Sequence, residues 1–157
     1  MRTTPVALPL LIMLAACQTV PVRQPGRTAP AVGAPTAHAA VAMYMTAMRE
    51  SNLTLIGNIW GTRDELARKQ YSRAEFEKRA FITSCYLGWD GYRITAERPA
   101  ADDARMVTVQ STNPEHVQQT TLRLEESSRG RWFVEGTDLT GLRPVNCRES
   151  QKASAAR

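Results

Sequence analysis

The hydrophobic period of this chain changes once, at Gly88, and that change limits what it can fold into. Before it, apolar residues recur at helical spacing. Val41, Tyr44, Met45 and Met48 fall at i, i+3, i+4 and i+7, while Thr46, Arg49 and Glu50 fall off that face. A second short helix is expected behind Ser51 or Asn52 as cap, burying Leu55, Ile56 and Ile59. Gly61 suits the left-handed position that ends a helix. Ser72 and Glu75 have the spacing of a capping box and open a third helix, which runs to about Leu87 and carries Phe76, Ala80, Phe81, Cys85 and Tyr86. After Gly88 the period is two. Tyr92, Ile94 and Ala96, then Val107 and Val109, then Leu122 and Leu124, then Trp132 and Val134 alternate with polar or outward residues. Turn signals separate these runs at Pro99–Asp103, Asn113-Pro114 and Ser127–Gly130. Helices first and strands after predict an α+β domain, with three N-terminal helices packed on one face of a four-stranded antiparallel meander.

The chain has 157 residues, enough for one domain of this kind. With 43% apolar and 22% charged residues it is neither fibrous nor wholly disordered. The net charge is +5, from 20 basic and 15 acidic residues. The basic residues are scattered among acids, with no stripe carrying interleaved aromatics, so no nucleic-acid partner is expected.

Val6 to Ala16 is an eleven-residue apolar run (VALPLLIMLAA) after a short n-region with one positive charge. As a helix it would measure about 16 Å, half of a hydrocarbon core, which is signal-peptide length rather than span length. It ends Leu14-Ala15-Ala16-Cys17, where small residues let a peptidase approach and the thiol can carry lipid. These residues resemble a bacterial lipoprotein precursor, whose lipobox reads Leu-Ala-(Gly/Ala)-Cys. The resemblance implies a signal peptide at 1–16, cleavage before Cys17, and a diacylglyceryl group plus an N-terminal acyl chain such as palmitate. Those chains exceed what stable anchoring needs. By analogy with such proteins, Gln18 in place of Asp favours the outer membrane, facing the periplasm, where the organism has one.

Residues 17–40 then read as the lipidated cysteine and a Pro/Ala-rich tether with Pro21, Pro25, Pro30 and Pro35. The tether's expected reach is roughly 25 Å as a coil and about 70 Å as polyproline II. The domain is expected at 41–148, with a frayed polar tail at 149–157.

The order of elements resembles the nuclear-transport-factor-2-like superfamily. The residues that carry this likeness are the opening helix Val41–Glu50, the segment Asn52–Thr62, the Asp90–Ile94 strand and the closing Gly130–Glu135 strand. The resemblance implies a cone, with a curved sheet wrapping the helices. Its members include isomerases and dehydratases as well as binding and scaffolding modules, so fold alone leaves function open.

Once Cys17 is assigned to lipid, Cys85 and Cys147 remain, in an exported chain where disulfides persist. The segment Leu139–Asn146 can return the chain to the third helix, and pairing would close a loop of about 60 residues, on the order of 4 kcal/mol. Free or metal-binding cysteines are the alternative, although no histidine lies near either in sequence. No metal or cofactor motif is present. If the cone held a pocket, Tyr44, Arg79, Asp90, Tyr92 and Glu135 would be its polar liners, and Asp90 or Glu135 with Tyr92 could move a proton beside a carbonyl. His38 and His116 read as exposed, and Trp60, Trp89 and Trp132 as core or cap residues. Two readings follow. One is a non-enzymatic, membrane-anchored envelope lipoprotein presenting a domain that binds an envelope protein or a small apolar ligand, or supports an assembly. The other is a small pocket enzyme of isomerase or dehydratase type.

Overall fold

The computed structural model describes residues 31–145 and Cys147. The expected signal peptide, Cys17, most of the tether and the 149–157 tail lie outside the described residues.

The fold is α+β, with helices ahead of a four-stranded antiparallel sheet. Helix α1 spans Ala37–Arg49. It starts four residues before the expected Val41, because Thr36 caps it by accepting a hydrogen bond from the Ala39 N–H at 3.1 Å. The expected Val41/Tyr44/Met45/Met48 stripe is buried, and Ala37, Ala40 and Ala47 widen it. Alanine gives little hydropathy contrast, so this opening turn reads as tether in sequence. The packed chain begins earlier still. Ala34 is fully buried and exchanges two backbone hydrogen bonds with Trp132, at 2.9 and 2.8 Å. Residues 34–40 therefore belong with the folded body rather than with a tether reaching to 40.

Helix α2, Leu53–Ile59, uses Asn52 as its cap, whose Oδ1 accepts from the Leu55 N–H. Gly61 follows at φ +149°, and its N–H donates to the Val134 carbonyl. A Cβ there would sit 2.5 Å from the Glu65 carbonyl oxygen and 2.6 Å from Leu66 Cα, so only glycine fits. Next comes a helix not read from the sequence: α3, Ala67–Gln70, a single turn without apolar periodicity. It is placed by tertiary contact, the Ala67 N–H donating to the Trp60 carbonyl. Among the described residues there are thus four α-helices rather than three. Helix α4, Arg73–Leu87, has Ser72 as its cap, accepting from the Glu75 N–H. Only half of the capping box forms, since the Glu75 carboxylate turns instead to Arg79 at 2.6 Å.

Strands β1 (Tyr92–Pro99), β2 (Arg105–Ser111), β3 (Gln119–Glu126) and β4 (Trp132–Thr137) pair in chain order, as the turn signals predict. Val107 sits opposite Leu122, and Leu124 opposite Val134, all fully buried beneath the helices. Helix α1 packs on β3 and β4 and touches α2 and α4, so it forms the centre of the core. The interior is filled by side chains, with Tyr44, Met48, Val107, Leu122 and Leu124 almost wholly excluded from water.

The sheet's two edges differ. The β4 edge is covered by the Ala34–Trp132 and Trp60–Val134 bridges. Among the described residues no backbone pairs with the β1 edge. Its expected alternation is blurred, with Tyr92 and Ile94 half-buried and Ala96 exposed, because the register shifts between Ile94 and Ala96. That irregularity, together with Arg93, Glu97, Arg98 and Pro99, is what keeps an open edge from pairing with strangers. Among the described residues no helix is long and apolar enough to cross a membrane.

Candidate functional site

The polar residues named from sequence do not meet in one place. Tyr44 is buried in the core, its hydroxyl 3.0 Å from Thr137 Oγ1. Burial pushes its phenol above the usual tyrosine range, opposed by that hydrogen bond. Asp90 is exposed at the turn into β1, where its backbone carbonyl accepts from Arg49. Tyr92 is half-buried, its phenol raised by burial against the pull of the Arg49 charge. Glu135 lies on β4, three strands away, and pairs with Arg123. Arg123 also reaches Glu125 at 3.6 Å and Asp102 at 3.8 Å, so Glu135 belongs to a partly buried ion network. Arg79 stacks over the Tyr71 ring at 4.6 Å. His38, on α1 rather than in a tether, contacts Glu97 at 2.9 Å. Among the described residues no three His, Cys, Asp or Glu side chains group to hold a metal ion.

The tryptophans divide. Trp60 packs against Tyr71 and Phe76 and donates its indole N–H to the Glu135 carbonyl at 3.3 Å. Trp132 is buried with Arg105 over its ring. Trp89 is 5% exposed, and its indole N–H has no acceptor among the described residues. Leaving a buried donor unmatched costs about 1–3 kcal/mol, so Trp89 is the one core tryptophan whose placement calls for an explanation beyond packing.

Cys85 and Cys147 come together. Cys85 is buried on α4, and its carbonyl accepts the Val145 N–H at 2.8 Å. The two sulfurs are unbonded here, but Cys147 lies close enough to act electrostatically on the Cys85 thiol. Burial, then Cys147, pushes the Cys85 thiol up to about 12.

Three clefts are lined by described residues. One of about 650 Å³ lies beside Trp132, with Arg63, Asp64, Asp103, Arg105 and Glu126 around it. Both its arginines already face acids, Arg63 at Glu125 and Arg105 at Glu97. The other two, of about 460 and 280 Å³, share His116, Gln118, Pro144 and Val145 and so run together. They form one groove at the sheet's rim, between the β2–β3 loop and the segment returning after β4. Trp89, Asp90 and Asn113 line its smaller end. Arg143 and Leu142 line the larger. Sequence reasoning named Trp89 and His116 singly but had no means of placing them together. The chain matches no family model, no curated protein and no solved structure.

Proposed function

We propose that this chain is an exported lipoprotein, anchored to the bacterial membrane through acylated Cys17, that presents a small α+β binding domain to the envelope. Where the organism has an outer membrane, the anchor sits there and faces the periplasm. The observation that carries the reading is the meeting of Cys85 and Cys147 across 62 positions of sequence, taken with the lipobox that ends at Cys17. Two thiols brought side by side are suited to an oxidising compartment, where they persist as a disulfide. The step is an exchange: both thiols lose their protons and together give two electrons to the disulfide of a thiol–disulfide oxidoreductase, which leaves as the dithiol.

The domain is proposed as a cone of the nuclear-transport-factor-2-like kind. A helix laid across β3 and β4 supports this, as do register shifts between β1 and β2 and between β3 and β4, which bend a sheet. Tyr44, Met48 and Leu122 fill the space beneath the sheet, so recognition falls to the rim groove. The test is metabolic labelling with radioactive palmitate and membrane fractionation. The wild-type chain should label and sediment with membranes, and Cys17→Ser should do neither. A Cys17→Ser chain that still labels and sediments overturns the anchor.

A further inference from the structure

We propose that a Cys85–Cys147 disulfide locks the rim groove by fixing the wall made from the chain after β4, so that the domain offers a fixed surface only where that bond is kept. This rests on the binding-domain reading and adds the regulation of its groove. Thr140 to Val145 form this wall, and Glu115 to Gln119 line the groove from the other side. The wall is lightly held. Its last tie to the sheet is the Asp138 N–H, which donates to the Thr121 carbonyl at 3.0 Å. The next two bonds stay within the segment, from the Thr140 N–H to Asp138 Oδ1 at 2.9 Å and from the Leu142 N–H to the Leu139 carbonyl at 3.2 Å. Among the described residues two further N–H groups of the wall reach the body, Arg143 to Gln118 Oε1 and Val145 to the Cys85 carbonyl. The Arg143 bond joins one side of the groove to the other, so the Val145 bond is the one that ends on a core helix. Leu139 and Leu142 are half-buried against the core, whereas Arg143, Pro144 and Val145 are exposed. A segment with so few ties opens by itself, without unfolding the rest.

Cys85 is a fixed point, 3% exposed on α4 and two positions before the fully buried Leu87. Cys147 follows the wall by two positions and lies close to Cys85. A bond between the two sulfurs clamps the wall where a single hydrogen bond held it. The wall is then fastened at both ends, and its detached conformations are removed by the same restriction of chain freedom that any cross-link imposes. Cys147 is half-buried, so an exchange partner meets its sulfur first. Its thiolate attacks the disulfide of a thiol–disulfide oxidoreductase and displaces one of that protein's thiolates. The Cys85 thiolate then attacks the Cys147 sulfur of the mixed disulfide, and the second thiolate leaves. The chain has lost two protons and two electrons, and the oxidoreductase departs as the dithiol. Reversal needs Cys85 as the leaving group, and the burial that keeps its thiol protonated makes it a poor one. The wall is therefore loose in a reducing compartment and held in an oxidising one.

The test uses the full chain in detergent micelles, ¹⁵N-labelled, either treated with oxidised glutathione or held in a phosphine reductant. Mass spectrometry first confirms the two forms, the oxidised one lighter by two hydrogens. Amide hydrogen exchange is then followed by NMR at low urea concentrations. The Arg143 and Val145 amides should exchange about tenfold or more faster in the reduced form, at a rate that urea hardly changes, as a local opening does. The amides of β2 and β3 should instead follow urea as global unfolding does. Cys147→Ser, a small change at a half-buried position, should show the fast wall exchange with or without reductant. If the wall amides speed up by the same factor as those of β2 and β3, with the same urea dependence, the bond is a global staple and the lock is overturned. Equal wall exchange in both forms, a protected wall in Cys147→Ser, or no S–S bond under glutathione overturns it too. Both forms are prepared in vitro, so failure here with palmitate labelling and sedimentation intact removes the lock and leaves the anchor standing; the reverse result does the opposite.

Discussion

The backbone N–H of Val145 donates to the Cys85 carbonyl at 2.8 Å, tying the chain that returns from β4 to the last turns of α4. This bond delivers Cys147 to Cys85, and the same segment forms a wall of the rim groove.

Oxidation of that pair should therefore be intramolecular and complete. Protein recovered from an oxidising compartment should have a mass lower by two hydrogens than its reduced form. Reduction should lower unfolding free energy by about 2–4 kcal/mol, read as a fall in the urea midpoint. Free thiols at both positions would contradict this.

The pair also sets an alkaline limit. The folded Cys85 thiol is raised to about 12, above its unfolded value, so folding favours the protonated form. That contribution is complete below the unfolded value and is lost as pH rises toward the folded one. Reduced protein should lose melting temperature from about pH 9 upward faster than the disulfide form, which has no thiol to titrate. Parallel curves for the two forms would refute the assignment. The Tyr44 phenol, also raised by burial, adds the same downward trend to both.

A chain beginning at Val41 should be far less stable than one beginning at residue 31. It lacks the fully buried Ala34 and Ala40, the Thr36 cap and both hydrogen bonds to Trp132. The loss should be about 2–5 kcal/mol by denaturant titration.

That boundary shows where sequence reading stops. The α1 stripe, the Asn52 and Ser72 caps and the four-strand meander follow from local rules, and the structure has them. Ala34, Ala37 and Ala40 are buried by what packs on them, and a small apolar residue announces none of that. Helix α3 has no period to read, and β1 loses its alternation of burial past Ile94, where its register with β2 shifts. The two cysteines were legible as a pair because few partners existed. The groove was not legible. Its lining residues Trp89, His116 and Val145 lie far apart in sequence and meet only through the fold.

Gly61→Ala should cost about 2 kcal/mol or more, since a Cβ would meet the backbone of Glu65 and Leu66 rather than a side chain able to turn away. Calorimetry would show it, and an unchanged melting temperature would mean that this turn is loosely held.

Tyr44→Phe keeps the ring and removes only the hydroxyl that meets Thr137. The expected loss is about 1 kcal/mol, because Thr137 is only half-buried and water can replace the lost partner. A loss of several kcal/mol would show that the Thr137 hydroxyl is not rehydrated.

The bridge between Ala34 and Trp132 also gives the molecule a polarity. Trp132 begins β4, whereas the groove gathers around the end of β2, the start of β3 and the chain leaving β4. Those positions are at opposite ends of the strands, about 26 Å apart along the eight residues of β3. A pull on the N-terminal side of this chain would act at one pole, and the groove lies at the other. Load entering there meets first the bonds from Arg131 to the Val32 and Gly33 carbonyls and from the Gly33 N–H to the Asn58 carbonyl, then the Ala34–Trp132 pair, all of them far from the groove.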